Sequence, residues 1–222
     1  MSSFGTMDLR RRAGGEMRMA GLLPHEPPPC IAPAAMADAL PPSETAPVGS
    51  PERSIVLVGL MGVGKSTVGR RLARRLGLPF VDSDEEIERA ADHEIKEIFD
   101  RFGEARFRAG ERQVMRRLIE GGPKVIATGG GAFIESETRA LILERCIAIW
   151  LDADVATVAA RVRRRASHRP LLAGKELRPL LRALTVARGP FYEQAHLHVR
   201  ADDGSHERIV DRIIEALAGR AK

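Results

Sequence analysis

Ile55-Val56-Leu57-Val58-Gly59-Leu60-Met61-Gly62-Val63-Gly64-Lys65-Ser66-Thr67 is the stretch from which the rest of this 222-residue chain is read. Its four leading aliphatic residues predict a short buried strand, and the spacing from Lys65 to Leu76 predicts a helix. Between them Gly59 to Ser66 fits G-x-x-x-x-G-K-[ST], in the strand–turn–helix context that the motif requires. The glycines let the backbone wrap a phosphate, so that successive N–H groups and the helix N-terminus meet its charge. Lys65 is then expected to reach the β- and γ-phosphates of ATP, and the Ser66 hydroxyl to ligate Mg²⁺. A glycine turn that merely joins strand to helix would explain the glycines, but not the Lys-Ser pair in register.

Outward from this stretch, four more buried strands are predicted: Phe80-Val81, Val125-Ile126-Ala127, Ile147 to Leu151, and Leu197-His198-Val199. Helical spacing covers Glu85 to Ala91, Ile95 to Phe102, Phe107 to Glu120, Glu137 to Leu143, Val155 to Arg165 and Glu207 to Ala218. A proline-broken helix is expected from Leu180 to Ala195, and Ser205 is a suitable N-cap for the last helix. Short apolar strands separated by helix-length crossovers predict an α/β fold: a parallel sheet covered on both faces, with ligands at the carboxyl ends of the strands.

Before Arg53 the composition differs. Nine of the 14 prolines lie there and Phe4 is the only aromatic residue, so the segment has little apolar surface to offset the entropy of ordering. Residues 1–52 are therefore read as a disordered proline-rich extension, and 53–222 as the folded domain.

The chain carries 35 Lys and Arg against 30 Asp and Glu, a net charge of +5 with pI near 9.7, so its partners are expected to be anionic. With only 4% aromatic residues, the stacking platform of a single-strand nucleic-acid binder is missing, and anionic small molecules are preferred over nucleic acid. Cys30 and Cys146 stand far apart and outside any Cys-x-x-Cys pair, as expected of reduced thiols. No run of about 18 apolar residues could span a bilayer, and no signal-peptide core follows Arg10-Arg11-Arg12. A cytoplasmic location is the resulting expectation; a monomer is expected as well, though no residue pattern carries that.

Three further motifs carry chemistry. Asp82 and Asp84 follow the second strand at i, i+2 spacing, which would set both carboxylates on one side of the pleat, facing the phosphate loop. One could hold a metal-bound water and the other a substrate hydroxyl, with Asp84 or Ser83 alternatively serving only as a helix cap. Thr128-Gly129-Gly130-Gly131 follows the third strand, where three glycines permit a close approach of backbone to ligand, or form only a loop. Arginines cluster at Arg161, Arg163, Arg164, Arg165, Arg169, Arg178, Arg182 and Arg188. Arg169, in Arg169-Pro170-Leu171-Leu172, lies in a loop able to fold over a nucleotide as a lid. Arg188 precedes Gly189-Pro190, read as a break exposing its guanidinium for bidentate capture of a carboxylate.

In order along residues 53–219, Gly59 to Thr67, Asp82-Ser83-Asp84, Gly103-Glu104-Ala105-Arg106-Phe107-Arg108, Gly129-Gly130-Gly131, Arg169-Pro170-Leu171-Leu172 and Arg188-Gly189-Pro190-Phe191-Tyr192 resemble the shikimate kinases. The resemblance implies a P-loop fold like that of nucleoside monophosphate kinases, with five parallel strands, a lid and a substrate-binding helical region. It implies transfer of the γ-phosphate of ATP to the 3-hydroxyl of shikimate, in chorismate and aromatic amino acid biosynthesis. Gly62, Val63, Gly64, Lys65, Ser66, Thr67 and Arg169 would bind ATP, and Ser66 and Asp82 would hold Mg²⁺, Asp82 through water. Shikimate would lie between Asp84, Arg108, the Gly130 N–H and Arg188. Lys65, Asp84 and Arg169 would be the catalytic residues, with Glu111 orienting Arg108 from one helical turn away.

One departure stands out. The loop before the last helix, Ala201-Asp202-Asp203-Gly204-Ser205-His206, contains no arginine, so the Arg161 to Arg165 helix end becomes the alternative source of adenine contacts. Two rival readings are another small-molecule kinase, such as a gluconate kinase, and a basic nucleotide-dependent RNA-binding protein. The gluconate kinase has no evident need for both carboxylate-binding arginines, and the RNA-binding protein is suggested by pI alone.

Overall fold

The computed structural model describes residues 52–166, 177–201 and 205–220. Five strands alternate with seven helices: β1 (Ile55–Val58), α1 (Lys65–Leu76), β2 (Phe80–Asp82), α2 (Ser83–Ala91), α3 (Ile95–Glu120), β3 (Val125–Ala127), α4 (Ser136–Arg145), β4 (Ile147–Asp152), α5 (Val155–Ala166), α6 (Leu177–Tyr192), β5 (Leu197–Arg200) and α7 (His206–Arg220). The five strands are those expected from the sequence. They form one parallel sheet in the order β2-β3-β1-β4-β5.

The central strand explains why the sheet is covered on both sides. All four residues of β1 are fully buried, and they divide by parity. Ile55 and Leu57 pack with Val68 and Leu72 of α1, Val158 of α5, Leu181 of α6 and Ile209 and Ile213 of α7. Val56 and Val58 face the other way, toward Phe107 and Met115 of α3, Ile142 of α4, and Tyr192. Alternation along a strand therefore supplies two apolar layers, each sealed by helices. α6 contributes Leu181 to one layer and Tyr192 to the other, so it bridges both.

Two helices differ from their expected form. The segments Ile95 to Phe102 and Phe107 to Glu120 form a single run, bent at Gly103, whose φ of 76° lies outside the helical region. Only glycine adopts that conformation without a steric penalty. α6, in turn, continues through Pro190 instead of breaking there. Proline removes the hydrogen bond to the carbonyl four residues earlier, here that of Val186, a residue on the exposed side of the helix.

No helix among the described residues is long and apolar enough to cross a membrane. Cys146 is buried, and burial pushes its thiol up to about 11. Cys30 and the extension read at residues 1–52 fall almost wholly outside the described residues.

Candidate active site

Three strand-to-helix connections meet where the strand order reverses around β1 and β3, the place at which open α/β sheets bind ligands. They follow β1, β2 and β3. Thr128 ties the last to the first, since its N–H and its hydroxyl both donate to the Leu57 carbonyl, at 3.2 and 3.0 Å.

The loop after β1 is held open by three glycines with left-handed φ: Gly59 at 134°, Gly62 at 78° and Gly64 at 110°. Gly62 is doubly constrained, because a Cβ there would sit 2.5 Å from Cγ2 of Val162 on α5. Gly64 caps α1 with no side-chain hydrogen bond, leaving first-turn amides directed at whatever lies before the helix. Lys65 is buried and folds back over its own loop, donating from Nζ to the Gly59 and Leu60 carbonyls at 2.8 and 2.9 Å. Burial lowers its pKa to about 8, against the opposing pull of Asp84 and Asp82.

After β2 the chain turns at once into α2, so the two aspartates are not paired across a pleat. Asp82 ends the strand and is itself the N-cap: its Oδ1 accepts the Asp84 N–H at 3.1 Å, while its Oδ2 accepts the Ser66 hydroxyl at 2.6 Å. The capping expected of Asp84 or Ser83 thus belongs to Asp82. Ser83 is fully buried, and its Oγ accepts the Gly129 N–H at 3.2 Å. Asp84 is freed for the crevice. Desolvation and then the neighbouring Asp82 charge raise its carboxyl to about 6, despite the counter-pull of Lys65.

The triple glycine brings the remaining groups together. A Cβ on Gly129 would lie 2.6 Å from Oδ1 of Asp84, and one on Gly131 would lie 2.7 Å from Nη1 of Arg108. At Gly130 a Cβ would come within 3.2 Å of Nη1 of Arg188, which donates to the Gly130 carbonyl at 2.9 Å. Each glycine therefore accommodates one charged side chain, and those side chains come from α2, α3 and α6. Arg108 is held by Glu111 at 2.7 Å and Glu104 at 3.3 Å. Glu111 is itself buried, and desolvation raises its pKa despite the arginine beside it.

Of the other expected groups, Arg188 is half-buried on a continuous helix and is not exposed by a break. Arg163, Arg164, Arg178 and Arg182 are exposed. Arg161 differs from them: it donates to the Val63 carbonyl at 2.9 Å and the Ala201 carbonyl at 2.7 Å, clamping the phosphate loop to the end of β5. Arg169 and the Asp202-Asp203-Gly204 stretch lie outside the described residues. Sequence reading missed the parts of Ser83, Arg161 and Tyr192. The signal for Tyr192 was its position four residues after Arg188, on the same helical face.

A phosphate loop opening α1, a buried lysine within it, and a carboxylate with two arginines beside it define an ATP-dependent small-molecule kinase. Comparison with known proteins narrows that class. A family model described as shikimate kinase matches residues 61–218. The shikimate kinase of Zymomonas mobilis is 56% identical over 165 residues, covering 74% of this chain and 93% of that protein. That of Caulobacter vibrioides is 53% identical over 165 residues, covering 74% and 82%. Among solved structures, the Acinetobacter baumannii shikimate kinase in complex with shikimate has a TM-score of 0.71 at 36% identity, over 77% of this chain and 96% of that one. The chain belongs to the shikimate kinase family.

Proposed function

We propose that this chain transfers the γ-phosphate of ATP to the 3-hydroxyl of shikimate, giving ADP and shikimate 3-phosphate. The observation that carries the reading is the meeting of Asp84, Arg188 and Arg108 on three successive glycines beside the Lys65 loop. A hydroxylated ring bearing a carboxylate calls for that complement: an acceptor for hydroxyl protons and guanidinium forks for the carboxylate. In this reading Arg108 and Arg188 bind the carboxylate, and Asp84 and the Gly130 N–H fix the ring.

Gly62, Val63, Gly64, Ser66 and Thr67 cradle the phosphates with backbone amides, and Lys65 neutralises charge on them. In this reading Arg169 supplies a further positive charge to the transferring group. Among the described residues no cluster of three or more acidic, histidine or cysteine side chains could hold a metal alone. The Ser66–Asp82 pair does offer hard oxygens, which suit Mg²⁺ when phosphates and water complete its shell. Bound there with the nucleotide, the ion would offset charge on the phosphate oxygens. Asp84, with its carboxyl at about 6, is largely ionised at neutral pH yet basic enough to take the proton of the attacking hydroxyl. We also assign the catalytic domain to residues 53–222, acting as a monomer in the cytoplasm on small molecules, without nucleic acid or membrane.

The test is ADP release with Mg²⁺ and a panel of shikimate, gluconate and nucleoside monophosphates. Turnover is expected with shikimate alone; turnover only with one of the others, or RNA-stimulated turnover without shikimate, would overturn the assignment.

A further inference from the structure

We infer that Tyr192 is a positioning residue for the acceptor site, acting through its phenolic hydroxyl on the peptide between Gly130 and Gly131. The inference rests on the triple-glycine turn being the site where shikimate is held. The three carbonyls of that turn are held differently. Those of Gly129 and Gly131 accept backbone N–H groups within the turn, from Ala132 at 3.4 Å and Ile134 at 3.0 Å. The Gly130 carbonyl accepts two side chains from α6 instead: Arg188 Nη1 at 2.9 Å and Tyr192 Oη at 2.6 Å.

In a trans peptide the N–H points opposite to the C=O, so drawing the Gly130 carbonyl toward α6 turns the Gly131 N–H away from it and holds the ψ of Gly130, the residue whose own N–H, in the preceding peptide, is assigned to the ring. Between two glycines no Cβ resists rotation of that peptide, and its orientation depends on the bonds it makes. Arg188 is an imperfect anchor, because a guanidinium drawn to a substrate carboxylate shares or gives up its bond to Gly130. Tyr192 also hydrogen-bonds Arg188 itself, but a neutral phenol is not drawn off by a substrate carboxylate as a guanidinium is. It is 2% exposed, and its ring lies 6.0 Å from that of Trp150, so packing fixes the hydroxyl in place. A buried tyrosine commonly finds some partner for its hydroxyl. Here that partner is the carbonyl on which the acceptor-site arginine also rests, which gives the bond a consequence for binding as well as for stability.

Tyr192→Phe keeps the ring and removes only the hydroxyl. The variant should raise the KM for shikimate about five- to tenfold, the effect of one hydrogen bond, with kcat and the KM for ATP within about twofold of the parent. A purely structural role would lower the melting temperature and leave that split absent. A folded variant with unchanged shikimate KM overturns the inference. Tyr192 is also the only tyrosine in the chain, so 3-fluorotyrosine incorporated throughout labels this position alone. Its ¹⁹F resonance should move when shikimate is added to the full-length protein; an unmoved resonance at saturating shikimate also overturns the inference, even if the phenylalanine variant fails to fold. If the parent protein neither binds nor phosphorylates shikimate, it is the function that fails.

Discussion

Asp84 joins the stability of the ligand-free protein to its proposed chemistry. An unfolded aspartate titrates near 3.9, whereas Asp84 in the fold is raised to about 6. Between those values the native state holds the additional proton, so this residue's contribution to stability falls as pH rises through the window. At neutral pH its charge weakens the ligand-free fold by on the order of 1–2 kcal/mol, once solvent screening of a half-buried group is allowed for. Asp84→Asn should therefore raise the melting temperature by about 2–6 °C above pH 6, with the gain vanishing below pH 4. The same variant should retain ATP binding and lose at least about 100-fold in kcat; calorimetry against pH and steady-state kinetics check the two halves. Arg188→Ala and Arg169→Ala separate binding from transfer. Loss of a charge-assisted pair at Arg188 should cost roughly 1.5–3 kcal/mol, seen as a 10- to 150-fold rise in shikimate KM, with lysine a partial substitute. Removal of Arg169 should lower kcat with little change in that KM, and the reverse pattern would exchange the two roles. Sequence spacing was enough to single out Asp82 and Asp84, because two carboxylates at i, i+2 at a strand's carboxyl end fall beside the phosphate loop. It misjudged how they meet: β2 ends at Asp82, and the first turn of α2 brings Asp84 round.

Helices in this protein serve mainly to hold loops. α5 packs Val162 beneath Gly62 and sends Arg161 to the Val63 carbonyl, so the phosphate loop has a rigid support behind it. Gly62→Ala should strain a φ of 78° and press on Val162 at once. The expected result is a lower melting temperature and an ATP KM raised by about tenfold or more, whereas the KM for shikimate should change little. Gly131→Ala should behave differently. Its added methyl would meet the guanidinium end of Arg108 and not backbone, so the fold should survive and shikimate KM should rise. The bend in α3 and the continuity of α6 escaped the sequence reading for one reason. Gly103 and Pro190 both look like boundaries, and only packing decides whether the chain bends, continues or stops. At Gly103 the helix resumes immediately, which sets Arg108 against Gly131; at Pro190 the lost bond falls on Val186, a residue on the exposed side of the helix.

Across the whole molecule, α/β alternation and buried strands were legible because both follow from runs of apolar residues. The order β2-β3-β1-β4-β5 was not, since strand neighbours far apart in sequence leave no local trace. The boundary near residue 52 is proposed from composition alone, and on that proposal a chain beginning at Pro51 should keep kcat/KM within about twofold and melt at nearly the same temperature. A marked loss in either would mean that the preceding residues pack on the domain. Because the sheet gathers Asp84, Arg108, Gly130 and Arg188 from four separate stretches, the proposed acceptor site exists only in the complete fold. The triple glycine at its centre also bears on how such an enzyme could escape an inhibitor. A compound shaped to lie against Gly129, Gly130 and Gly131 would contact positions where any side chain displaces Asp84, crowds Arg188 or displaces Arg108. With shikimate bound at this turn, as proposed, resistance arising there would cost the organism its own substrate, so selection should find its escape routes elsewhere, in expression level or uptake.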